Sequence, residues 1–187
     1  MNLVIRKARL EPKVEGVPRD FYEVMTYFNR GISAPRESAS PCFRYMPRKT
    51  SITLEEIREL WVKSMSENIC FVAELDGRVV GSASVLFKRE STAYEHREVR
   101  AKSGGDLALS VDPEKDYVSI SEPLVRGIIS ELRRLEKEAT LISPVEFQED
   151  IGLFEKLTNG KGKLLEEKFE HYRGIGLSGN AVKFLIV

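Results

Sequence analysis

Apolar and polar positions along this chain change period several times, and each change marks an element. Leu3, Val4 and Ile5 open a strand that turns polar at Arg6-Lys7. Phe21, Val24, Met25 and Phe28 then fall at helical spacing, with Asp20 as N-cap and Gly31 as the stop. Ile32 to Thr50 carries Pro35, Pro41 and Pro47 and reads as an irregular loop. Its Phe43, Tyr45 and Met46 are apolar enough to pack on the domain or line a site. Thr53-Leu54-Glu55-Glu56 fits a capping box for a second helix, whose apolar face is Ile57, Leu60, Trp61 and Met65 and whose end is Asn68.

The clearest local signal comes next. Ile69 to Leu75 and Arg78 to Phe87 are strand-like and flank Asp76-Gly77, the pair a type I′ hairpin turn demands. Lys88 to Lys102 alternates around Thr92, Tyr94 and Val99 and reads as a strand with one solvated face, or as an extended hairpin. Leu107 to Val111 is a further strand, closed by Asp112-Pro113. A polar loop runs from Glu114 to Ser121, and Leu124, Val125, Ile128, Ile129, Leu132 and Leu135 then repeat at helical spacing. Ala139 to Ile142 is a short strand. Phe147, Ile151, Phe154 and Leu157 make a helix stopped at Thr158-Asn159-Gly160, and Lys163 to Tyr172 and Ala181 to Val187 read as two last strands. The order is β-α-α-β-β-β-β-α-β-α-β-β. It predicts one α/β (α+β) domain over residues 1–187, a mixed, mostly antiparallel central sheet flanked by helices, with one parallel crossover after Val111.

Composition narrows the partners. The 187 residues carry 29 basic and 29 acidic side chains, a net charge of +0, which gives no bulk attraction for nucleic acid or an anionic membrane. No apolar run approaches the roughly 20 residues of a membrane span. Cys42 and Cys70 are not spaced for zinc and are too few for a disulfide framework, so they read as reduced thiols. The opening residues, Met1 to Leu10, alternate like a strand and show no signal-peptide core with a cleavage site, so the expected compartment is the cytoplasm.

A strand that delivers its loop onto a helix N-terminus is a common anion-holding device, because the first turn offers N–H groups and a partial positive charge. The stretch from Asp106 to Leu135 has this form. Together with the hairpin from Phe71 to Val85, the segment Leu109 to Glu114 and the late helix Leu153-Phe154-Glu155-Lys156-Leu157, it resembles the GNAT superfamily of N-acetyltransferases over most of the chain. The resemblance implies acetyl-CoA as cosubstrate and transfer to an amine-bearing small molecule or protein, with a homodimer as the candidate assembly. In that family the loop reads Gln/Arg-x-x-Gly-x-Gly/Ala and cradles the pyrophosphate on backbone N–H groups. Here the motif falls on Asp116, Tyr117, Val118, Ser119, Ile120 and Ser121, with serines for both glycines. Asp116 stands where the family has a cation or amide. At about 4 Å an opposing pair of unit charges costs roughly 4 kcal/mol at an effective dielectric of 20, unless Asp116 points away or Lys115 compensates. Ser119 to Glu122 also fits a capping box with Pro123 in the first turn, in which case the serines cap the helix and bind nothing.

The resemblance also implies catalytic groups. The thioester oxygen would be polarised by backbone N–H at a distortion of the strand near Ser110 and Val111. Asp106, with Glu98 and Glu95 on the preceding strand, is the candidate base for the acceptor amine. The family's acid is a tyrosine at the place of Phe154, which has no proton to give and reads as a core aromatic. Tyr172 and Tyr117 are the replacements to consider. Gly174 to Gly179 matches Gly-x-Gly-x-x-Gly but precedes a strand, so it reads as a hairpin loop. Asn159 to Lys163 lacks P-loop spacing, and His96 and His171 have no partner pattern. Two functions follow: a GNAT-type N-acetyltransferase, or a protein of that fold that has lost transfer chemistry and binds or assembles instead.

Charge is high and Gln148 is the only glutamine, a composition associated with hyperthermophiles. A thermophilic source is therefore expected, and a melting temperature near about 50 °C, within the mesophile range, would contradict it.

Overall fold

The strand expected at Leu107–Val111 runs from Asp106 to Val111 and is fourth of eight across the sheet. The computed structural model describes residues 2–35, 39, 41, 43–44, 53, 55, 69–86, 97–100, 106–135, 139–173 and 176–186. All but Thr53 and Glu55 of the helix expected from Thr53 to Asn68, most of the proline-rich loop, and Glu95 lie outside them. The strands are β1 (Leu3–Lys7), β2 (Lys13–Val14), β3 (Val17–Pro18), β4 (Ile69–Leu75), β5 (Arg78–Leu86), β6 (Arg97–Arg100), β7 (Asp106–Val111), β8 (Ala139–Pro144), β9 (Lys163–Leu164) and β10 (Ala181–Ile186). The helices are α1 (Arg19–Ser33), α2 (Tyr117–Leu135), α3 (Gln148–Thr158) and α4 (Glu170–Arg173).

The main sheet has the order β1-β4-β5-β7-β6-β8-β10-β9, and its pairings are antiparallel. Asp76 and Gly77 have φ of 49° and 83°, as the hairpin turn requires. A small hairpin, β2–β3, turns at Glu15-Gly16 with the same signature and was not foreseen, since its strands are two residues each. The crossover through α2 is present, but β7 and β8 are not neighbours. β6 lies between them, pairing Arg97 with Leu107 and Val99 with Leu141.

Because side chains alternate along a strand, the two faces of β5 have different neighbours. Gly81 faces α2, and its missing side chain makes room for Ile120 and Leu124. Ser82 faces α1, where it meets Tyr27. The core is the apolar filling of both layers: Phe21, Val24 and Ile32 from α1, and Leu124, Val125, Ile128 and Leu132 from α2. α3 brings Phe154 against Phe184 of β10, ring centroids 5.7 Å apart, so Phe154 is the core aromatic its apolar setting predicts.

Three boundaries differ from expectation. α1 runs through Gly31, because the Phe43 ring lies where a side chain there would be. It ends at Ser33, since Ala34 precedes Pro35 and is forced extended, with ψ of 147°. α2 starts at Tyr117, before Ser119, and Pro123 falls inside it. The strand expected from Lys163 to Tyr172 stops at Leu164. Phe169 leaves the sheet plane to join a second buried cluster with Ile142, Phe147, Leu177 and Ala181, and Tyr172 follows on the short α4.

Asp20 is no N-cap. Pro18 holds that position without a side-chain bond, and Asp20 is buried in the first turn. Its carboxylate takes Arg6 Nη1 and Nη2 at 2.6 and 2.8 Å and the Arg9 amide at 2.7 Å, while Arg6 also reaches Glu74 at 2.6 Å. β1, α1 and β4 are thus tied at one guanidinium. Burial alone would raise the Asp20 carboxyl, but the bonds from Arg6 and Arg9 outweigh it and hold it below the usual range. Hydrogen bonds from Arg134 and Lys7 likewise hold Glu131 at about 2. The unfolded chain therefore binds more protons in acid. The stabilisation from both groups is complete above about pH 5 and is lost as pH falls toward their native values. Urea midpoints should be level near neutrality and decline once the pH drops under about 5, and Asp20→Asn, which leaves Arg6 partly unpaired, should cost about 3 kcal/mol.

Candidate active site

The carboxyl end of β7 is where the elements converge. The Asp112 amide donates to the Val80 carbonyl at 2.8 Å, and the register with β5 is unbroken from Asp106 to Val111. In an antiparallel ladder the bonding direction alternates, so the N–H groups of Ala108 and Ser110 point to β5. Those of Leu109 and Val111 point to the opposite edge, on the side of β6 and β8. The β5–β7 register shows no shift near Ser110 and Val111; the shift in this meander is between β4 and β5, where Val80 of β5 is the extra residue opposite Ala73 and Glu74. Of the two, only the Val111 amide points away from β5.

Past Val111 the chain turns on Asp112. Arg30 of α1 donates to both carboxylate oxygens at 2.9 and 3.0 Å. The Glu114 amide donates to the same carboxylate at 3.1 Å, and the Lys115 amide to the Asp112 carbonyl at 2.9 Å. Asp116 then caps α2: its Oδ1 accepts the Ser119 N–H at 2.8 Å, and the Ser119 hydroxyl donates to the Asp116 carbonyl at 3.2 Å. The N-cap is thus Asp116, three residues earlier than the Ser119–Glu122 match places it. Glu122 instead pairs with Lys156 at 2.6 Å and Arg126 at 3.1 Å.

The residues of the expected phosphate loop diverge because a helix turn distributes them. Val118 and Ser119 are exposed. Ile120 is buried against Gly81, and Ser121 is buried with its hydroxyl toward the Val118 carbonyl at 3.5 Å. The two serines do not face one site. Tyr117 turns inward and donates to Asp150 Oδ1 at 2.5 Å, which joins the N-terminus of α2 to the first turn of α3.

Asp106 and Glu98 are cross-strand partners at the other end of β7. Five residues separate Asp106 from Val111, about 17 Å of strand, so these two acids and the Val111 amide are not gathered at one point. Tyr172 lies on α4, in the tail segment beyond β9. Gly176 and Gly179 have φ of 87° and 81° and lead into β10, as a loop of that composition should. Among the described residues there is no cluster of three or more metal-ligating side chains, and no helix is long and apolar enough to cross a membrane.

Two features were not foreseen. Tyr27, Ser82 and Ser110 form a closed hydroxyl triangle, with Tyr27 Oη 2.9 Å from Ser110 Oγ and 3.2 Å from Ser82 Oγ, and the serines 2.9 Å apart. All three are buried. The signal was present as polar residues at the inward positions of β5 and β7. The second is a groove of about 580 Å³ between α1, the β4–β5 turn and the Asp112 turn, with Tyr27, Arg30, Asp112 and Lys115 in its wall. Arg78 and Lys115, which also line it, make no ion pair among the described residues.

This architecture is that of known acetyltransferases. An N-acetyltransferase from Staphylococcus aureus Mu50 superimposes with a TM-score of 0.62 at 20% identity, covering 99% of this chain and 97% of that one. A GNAT-family acetyltransferase from Streptococcus pneumoniae matches at 0.58 and 17% identity, over 99% and 100%. A putative acetyltransferase from Salmonella typhimurium, determined with its cofactor acetyl-CoA, matches at 0.61 and 15%, over 100% and 95%. The chain has the GNAT N-acetyltransferase fold. No family model matches the sequence, and no curated protein matches it either.

The Asp116 cap makes a direct prediction. Asp116→Ala should lower stability by about 1 kcal/mol, the usual worth of an N-cap, as read by urea denaturation.

Proposed function

We propose that the chain is an acetyl-CoA-dependent N-acetyltransferase acting on an amine-bearing small molecule or protein. The observation that carries the reading is the junction of β7 and α2. A strand turns the Leu109 and Val111 amides toward β8 and hands the chain, through a turn locked by Arg30, onto the positive end of a 19-residue helix. The cosubstrate supplies an acetyl thioester. Val111 is the backbone donor placed for its carbonyl oxygen. Lys115, Val118 and Ser119 are the members of the loop that face outward to meet its phosphates, whereas Tyr117, Ile120 and Ser121 support them from within. Asp116 sets the strength of that site. Its carboxylate already holds the Ser119 N–H, and so occupies a place a phosphate oxygen would take.

The same aspartate favours a second reading, a protein of this fold that binds or assembles without transfer. Phe154 points the same way, since it is sealed in the core and offers no acid.

Thermal melting separates the two. Binding to the native state stabilises by about 2.7 kcal/mol at 100 times the dissociation constant, so millimolar acetyl-CoA should raise the melting temperature. An unmoved curve leaves the second reading. Asp116→Arg, which frees the Ser119 N–H and reverses the charge, should tighten acetyl-CoA binding even as the loss of the cap destabilises the fold. Weaker binding would remove Asp116 from the site.

A further inference from the structure

Resting on the transferase reading, we propose that Tyr27, Ser110 and Ser82 are a proton relay serving the acceptor amine. An amine that is protonated in water must lose a proton before it can attack a thioester. The Asp112 carboxylate, two residues on from Ser110, is taken up by Arg30 and the Glu114 amide, and the base candidates of β6 and β7 lie toward the other end of the strand. Asp106 lies four residues from Ser110, about 13 Å along the strand, and Glu98 is its cross-strand partner. The hydroxyl triangle includes Ser110 itself, the neighbour of Val111.

The geometry suits proton movement. Each hydroxyl has one proton and two lone pairs. In both the Tyr27–Ser110 and Ser82–Ser110 contacts either oxygen can donate, so the row can reverse its direction of donation without moving an atom heavier than hydrogen. Tyr27 is 1% exposed and belongs to the wall of the groove together with Asp112 and Glu114. The row is not a closed structural ornament either. Ser84, two residues along the same face of β5, is 1% exposed and its Oγ has no hydrogen-bond partner among the described residues. A buried hydroxyl left in that state marks a place for one more polar atom.

In the step, the amine nitrogen bonds to the acyl carbon and the C–S bond breaks, its electron pair leaving with sulfur. Before attack the ammonium gives one proton to Ser110 Oγ as Ser110 gives its own to Tyr27 Oη, and Tyr27 releases one to water in the groove. The second N–H proton, shed as the amide forms, goes to solvent, and the sulfur takes its proton from solvent.

The test uses two amines with acetyl-CoA and follows thiol release. Ethylamine is protonated at neutral pH, whereas hydroxylamine is neutral there and has less need of a base. Tyr27→Phe keeps the packed ring and removes only the hydroxyl; Ser82→Ala breaks the triangle from the other side. Each variant should keep the wild-type rise in melting temperature with acetyl-CoA. Tyr27→Phe should lose about a hundredfold in kcat/KM for ethylamine, the usual worth of general base assistance, and little for hydroxylamine; Ser82→Ala, which leaves the Ser110–Tyr27 contact in place, should lose less than Tyr27→Phe with ethylamine. Equal loss with both amines, or no loss with either, overturns the relay. A wild-type protein that binds acetyl-CoA but acetylates neither amine overturns the relay and leaves the cosubstrate reading standing. Failure of acetyl-CoA to shift the melting curve overturns both.

Discussion

Asp112 uses every hydrogen-bonding group it has, and three parts of the molecule depend on it. Its amide closes the ladder between β7 and β5, and its carbonyl takes the Lys115 amide that makes the turn. Its carboxylate holds Arg30 and the Glu114 amide. The carboxylate is nearly enclosed, so removing Arg30 would leave a poorly solvated charge, a costly state. The end of β7, the position of α1 and the start of α2 are therefore one mechanical unit. The groove lies inside that unit, with Arg30 and Asp112 both in its wall. A ligand that competed for Arg30 would at the same time loosen the turn that feeds the helix.

Local patterns carried most of the fold. The type I′ pair Asp76-Gly77 and the alternation of β4, β5 and β7 were readable because they depend on neighbours in sequence. The start of α2 was not, and the reason is specific. Two capping signals stand three residues apart, Asp116 with Ser119 and Ser119 with Glu122, and each is locally sound. The choice between them is made by distant partners: Asp150 for the Tyr117 hydroxyl, Gly81 for Ile120, and Lys156 for Glu122. Gly31 misled for a similar cause. Its lack of a side chain serves the Phe43 ring, not a helix end. β6 reads as a strand in sequence, but nothing local says that it lies between the two strands of the crossover.

The candidate site was legible as backbone and not as side chains. A strand, a turn and a helix end can be inferred from pattern, and they are where the fold needs them. The burial of Ser121 and the exposure of Ser119 follow from the phase of a helix whose start was misplaced by a few residues. Asp116 changes meaning once that phase is known. As a loop residue it is a charge aimed at an anion; as a cap it is a carboxylate holding an amide that the anion would otherwise use. Both descriptions oppose phosphate binding, but the second also says what the residue contributes to folding, and so why it can stand there.

The period of two along β7 divides the chemistry of this strand between two directions. The Val111 amide looks along the sheet toward β8, while the Ser110 side chain stands out of the sheet toward α1. Adjacent residues thus serve a backbone donor on one axis and a hydroxyl row on the other. A one-residue slip of register would exchange the two, sending a hydroxyl into the apolar α2 layer and breaking the triangle with Tyr27 and Ser82. The unbroken pairing from Asp106 to Val111 is what prevents that slip, and the Arg30–Asp112 pair fixes it at the carboxyl end of β7.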